Sequence, residues 1–218
     1  MPSDIELQRI VQDELAWDPS IDAANIGVTA KSGIVSLNGH VKSFAEKWTA
    51  EKAVQRVANV KAVTDELIVD LPGEHQRTDT DIARAALNSL EWNSLVPRDV
   101  IKVLVDNGWI TLDGEVEFFY QKEEAEYAVR NLLGVKGVVN TIRIKPLVRP
   151  SDIRNKIEKA LERAAELDAK KISVEANQGN VILRGKVRSW AERSEAEHAA
   201  WAAPGVTNVE NEIRITEL

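Results

Sequence analysis

Apolar residues recur along this 218-residue chain in two alternating rhythms. A four-residue rhythm runs Leu7, Val11, Leu15, returns as Ile82, Ala86, Leu90, and returns again as Ile153, Ile157, Leu161. That spacing puts each trio on one face of an amphipathic helix, the face a sheet would cover. Thr80 and Ser151 stand just before the second and third of these helices and are the expected N-caps. A two-residue rhythm follows each helix, with Val35 and Leu37, Ile110 and Leu112, and Val181 and Leu183 separated by single polar residues. Strands with one buried face alternate in this way.

The second rhythm sits inside a ten-residue phrase written three times: "SGIVSLNGHV" at 32–41, "NGWITLDGEV" at 107–116 and "QGNVILRGKV" at 178–187. Asn107–Gly108 is the strongest short hairpin signal, and Gly33 and Gly179 supply the same turn in the other copies. Gly39, Gly114 and Gly185 fall inside the following strand, where a bulge or the close approach of a helix backbone is the usual reason. A first strand is expected near Ile26–Ala30, Ile101–Val105 and Ile172–Ala176. A second helix begins near Ser43, Phe118 and Ser189 and ends at Asn59, Gly134 or Gly205, residues suited to a left-handed C′ position. A last strand covers Val63–Val69, Val138–Ile144 and Val209–Ile215, parallel to its predecessor if the crossover is right-handed.

The reading is an α+β fold: three tandem αββαβ units, each with two helices packed on a three-stranded mixed sheet. "LPGEHQRTDTD" and "KPLVRPSD" read as linkers, which places the units at 1–72, 78–147 and 150–218. The shared frame, with Val35/Leu37/Gly39/Val41, Ile110/Leu112/Gly114/Val116 and Val181/Leu183/Gly185/Val187, resembles the BON domain (bacterial OsmY and nodulation). "GVKGVVN" at 134–140 and "GVTNVEN" at 205–211 carry the same likeness. The resemblance implies two helices on a three-stranded sheet, a stress-response role such as osmotic stress, and association with phospholipid or membranes.

Composition narrows the rest. Hydrophobic residues are 44% of the chain, enough for each unit to build a core. Without cysteine there is no disulfide, thiolate nucleophile or cysteine-held metal. A net charge of −7 argues against a nucleic-acid partner, whose phosphates must be neutralised by Lys and Arg. No signal peptide opens the chain and no apolar run approaches the roughly 18 residues of a membrane span, so a cytoplasmic protein with no transmembrane segment is expected. No motif for a cofactor, nucleophile or metalloenzyme is present, and the expectation is no cofactor and no enzyme.

Chemistry should lie where the copies diverge. Alternate residues of the second strand form stripes: Asn38, His40, Lys42 in the first copy; Asp113, Glu115, Glu117 in the second; Arg184, Lys186, Arg188 in the third. The basic stripe with Trp190 is the candidate contact for anionic lipid or a protein partner, and Trp109, just past a hairpin, is a further contact candidate. The leading function is a non-catalytic adaptor peripheral to a membrane or bound to proteins. One alternative is a cation or small-ligand sensor built on Asp113, Glu115 and Glu117; another is a self-assembling structural repeat. Opposite stripes on neighbouring copies would also suit docking of one copy on another. Trp17 and Trp92, and the trio Phe44, Phe119 and Trp190, recur at equivalent positions and are expected in the core or between repeats. Lys47–Glu51, Lys122–Glu126 and Arg193–Glu197 read as i, i+4 surface pairs, and His40, His75 and His198 as surface residues.

Overall fold

The computed structural model describes residues 2–145, 152–164 and 171–216. The first unit runs α1 (Asp4–Trp17), β1 (Ile26–Lys31), β2 (Ile34–Val41), α2 (Phe44–Arg56) and β3 (Ala62–Val69). The second runs α3 (Asp79–Trp92), β4 (Ile101–Asp106), β5 (Trp109–Val116), α4 (Phe119–Arg130), β6 (Gly137–Asn140) and β7 (Arg143–Ile144). The third runs α5 (Ile153–Arg163), β8 (Ile172–Asn177), β9 (Asn180–Val187), α6 (Trp190–Trp201) and β10 (Asn208–Ile215). Each sheet is mixed: its first two strands are antiparallel, and its last lies parallel to the central strand.

The four-residue stripes are the buried helix faces. Leu7, Val11, Leu15, Ile82, Ala86, Leu90, Ile157 and Leu161 are all buried, against fully buried Val35, Leu37, Ile110, Leu112, Val181 and Leu183. The cap of α3 is Thr78, whose hydroxyl accepts from the Asp81 amide; Thr80, the expected cap, is already in the first turn. Ser151 lies outside the described residues. Asn59, Gly134 and Gly205 are left-handed as expected, but the helices have already ended, and these residues close the turn into the last strand.

The glycines inside the central strands follow from a contact the sequence did not reveal. Gly39, Gly114 and Gly185 face Ile26, Ile101 and Ile172 in unbroken register, so there is no bulge. At each one a Cβ would overlap the carbonyl oxygen of the residue preceding the neighbouring strand: Asn25, Val100 or Lys171. The close neighbour is strand backbone, not helix.

The expected i, i+4 pairs on the second helices do not form. Lys47 Nζ instead reaches the Leu67 carbonyl at 2.7 Å and Asp65 at 3.2 Å, and Arg193 reaches the Asn211 and Ile213 carbonyls. Asn140 and Asn211 donate to Glu126 and Glu197 at 3.1 and 2.9 Å, while their Oδ1 atoms accept from the amides of Ile142 and Ile213. The second helix and the last strand are thus tied by side chains that satisfy polar groups of the strand backbone.

The units meet in a cycle. Phe44, at the start of α2, packs on the core of the second unit. Phe119, at the same place in α4, stacks on Trp201 of the third unit with ring centres 4.5 Å apart. Trp190, at the start of α6, packs on the core of the first unit, where α6 also meets α2. One head-to-tail contact repeated three times closes a ring with approximate threefold symmetry. This bears out inter-repeat packing for Phe44, Phe119 and Trp190, and it puts equivalent residues of the three units at one level along the ring axis.

Candidate docking surface

The basic stripe of the third unit is largely engaged. Arg184 is paired with Glu175 and Glu212 from the two flanking strands, which raises its pKa above the usual value. Arg188 holds Glu192 at 2.7 Å. Lys186 is exposed beside Arg214 in register. Trp190 faces the first unit, and its indole nitrogen is buried with no hydrogen-bond partner. The structure thus separates this indole from the cationic strand face with which the sequence grouped it.

The acidic stripe is answered in the same manner. Arg143 and Lys145 approach Glu115 at 3.4 and 3.3 Å, and Asp113 lies opposite Lys102 in register. Among the described residues there is no group of three His, Cys, Asp or Glu able to hold a metal ion. Arg184, Arg188 and Glu115 thus find their counter-charges inside their own units, and among the described residues no ion pair joins either stripe to another unit. Trp109 is half exposed, lies flat over Gly137, and ends an outward row of Leu104, Thr111 and Val139. The corresponding row in the first unit is Thr29, Ser36 and Thr64.

The recurrent tryptophans at the end of the first helices are not packed between repeats. Trp17 is 85% exposed and Trp92 is 87% exposed. Each lies two residues past the last buried leucine of its helix, about 200° around the axis from the buried stripe. The third unit has Arg163 at this position. Ring symmetry brings all three to the same end of the molecule. α1 and α3 have no basic residue in their own last turns, though Arg56 pairs with Glu14 at 3.2 Å and acts on Asp18 at the end of α1. The Ser20 hydroxyl and amide hold Asp18 below the usual carboxylate range, so it stays charged beside Trp17.

Two polar contacts fasten the seams. Arg130 of the second unit lies 3.6 Å from the ring centre of Trp48 of the first, where burial lowers its pKa below the ordinary arginine value. His198 Nε2, in the third unit, lies 3.3 Å from Glu123 Oε1 in the second and edge-on to Phe119. His198 therefore lies at a seam between units. Its hydrogen bond to Glu123 raises the imidazole pKa above 6.5, against opposing burial, with Glu195 and Glu197 adding to the rise. A histidine whose folded pKa is raised contributes stability in full below its unfolded value and loses it as pH climbs through the folded value. Urea midpoints of the native protein should accordingly fall as pH rises from just below 6.5. Glu123→Gln should flatten that slope, and an unchanged slope would remove the role.

Three αββαβ units closed into a ring define a tandem-repeat protein with an exposed aromatic end. The BON domain family model matches residues 3–70, 78–146 and 151–217, and the chain belongs to that family. The chain is similar to osmotically-inducible protein Y of Escherichia coli (strain K12), with 29% identity over 139 residues, 62% of this chain and 69% of that protein. Two structures of CdsD, a structural protein of the type III secretion system of Chlamydia trachomatis, also overlap with it. The one of its C-terminal domain is 17% identical and covers 99% of this chain and 100% of that one, at a TM-score of 0.26. The second is 18% identical and covers 94% and 90%, also at 0.26. No helix among the described residues is long and apolar enough to cross a membrane.

Proposed function

We propose that the protein is a non-catalytic adaptor, tied to osmotic stress, that docks another macromolecule on the end of its ring bearing Trp17 and Trp92. The observation that carries this is the near-complete exposure of two tryptophans at equivalent positions. An indole is large and apolar with one polar handle, so it is enriched at contact sites and unfavourable when left in water. The likeness to the osmotically-inducible protein supports the stress connection. Placing a photo-reactive benzoylphenylalanine at position 17 or 92 tests the reading in cells. The same adduct is expected from both positions and none from Lys31, an exposed residue at the hairpin. No adduct at either position would dispose of the idea. Alanine at both positions should leave stability within about 0.5 kcal/mol, because little is buried there.

A second reading is favoured by Lys186 lying beside Arg214 on the outer face of the third sheet: weak contact with anionic lipid, next to Arg184 and Arg188. Co-sedimentation with phosphatidylglycerol vesicles should then weaken on Lys186→Glu with Arg214→Glu, and Trp190 should not take part.

A further inference from the structure

At the end of α3, where Trp92 follows the lining residue Glu91 in sequence, the second unit has a hollow of about 270 Å³. Leu90, Val96 and Ile101 are among its lining residues, and Leu87, Glu91 and Asp99 join them where it meets solvent. Leu87 and Leu95 add apolar surface to this part of the unit, at 54% and 49% exposed. Arg98 also contributes to the lining, but two carboxylates and the carbonyl end of α3 outweigh it. None of this is required by the fold. The first unit has Gln12, Ala16, Ser20 and Ala24 where the second has Leu87, Glu91, Leu95 and Asp99.

We infer that this hollow is the docking site for a basic amphipathic segment of a partner protein, which seats an apolar side chain in the hollow and sets Lys or Arg against Glu91, Asp99 and the face of Trp92. The inference rests on the docking role proposed above and names its partner class. An apolar floor selects an apolar anchor, and burial of such an anchor supplies most of the affinity. The carboxylates and helix end attract cations, and an exposed indole face adds a cation–π contact. An anionic membrane fits poorly, since its headgroups would meet carboxylates of the same sign.

The test uses the full chain and three probes: a short synthetic Leu/Lys amphipathic helix, its Leu/Glu counterpart, and vesicles of phosphatidylcholine with phosphatidylglycerol. The Leu/Lys helix should bind, more weakly as salt rises. Trp92→Ala should weaken it roughly tenfold, and so should Glu91→Lys with Asp99→Asn. Asn is chosen at 99 because that residue has φ +61°, which Asn tolerates. The Leu/Glu helix should not bind. Failure of the Leu/Lys helix to bind, or equal binding by the variants, overturns the inference. Vesicle binding that depends on Trp92, without peptide binding, also overturns it, but leaves the docking role of this end intact. If adducts at positions 17 and 92 are missing as well, both proposals fall.

Discussion

Alanine in place of Gly114 should lower the unfolding free energy by about 3 kcal/mol, near the top of the range for a single substitution. Two costs combine. The residue has φ +156°, a region that side-chain-bearing residues rarely enter, and its new methyl group would overlap the Val100 carbonyl oxygen. That oxygen belongs to backbone entering β4, so it cannot move away as a flexible side chain would. Relief requires parting β4 from β5 beside the fully buried Leu112. Gly39 and Gly185 meet the same obstacle and should behave alike. Gly73 is the control: nothing lies within 4 Å of a Cβ built there, so Gly73→Ala should change stability by less than about 0.5 kcal/mol. Urea denaturation of the four variants decides the matter. Equal midpoints for Gly73→Ala and Gly114→Ala would show that the strands part easily and that the glycine is not needed.

The cores were legible in the sequence because burial leaves a period. Leu7, Val11 and Leu15 share a helix face whatever surrounds them, and three copies of the same stripe make an accidental match untenable. Ring closure left no period. Recurrence alone could not separate Phe44, Phe119 and Trp190, which pack across seams, from Trp17 and Trp92, which face solvent. Helical phase did hold the answer for the latter pair: two residues beyond Leu15 or Leu90 is the far side of the helix. The partners of the charged stripes were not legible for a different reason. A strand read alone shows alternating faces but not the residues opposite. Glu212 faces Arg184, and Arg143 faces Glu115, only once the parallel register is fixed. The hollow lined by Leu90, Glu91 and Ile101 joins the end of α3 to the start of β4 and carries no contiguous motif.

Removing the indole of Trp190 should open the ring. Linkers join the first unit to the second and the second to the third, so the seam between third and first is held by contact alone. Trp190 is the aromatic that packs across it. Truncating a fully buried Trp costs about 3–5 kcal/mol. This one is only part-buried and its buried N–H has no partner, so Trp190→Ala should cost about 2 kcal/mol. The distinctive result is geometric. Small-angle scattering should show a larger radius of gyration, and calorimetry should resolve the third unit's unfolding from that of the other two. Trp190→Phe should do the reverse. Phe44 and Phe119 occupy the equivalent places, and phenylalanine keeps the apolar contact while deleting the unpaired donor, so stability should hold or rise by up to about 1 kcal/mol. A compact Trp190→Ala variant that unfolds in a single transition would mean that the ring closes through other contacts. A Trp190→Phe variant as damaged as the alanine one would mean that the buried indole nitrogen has a partner after all.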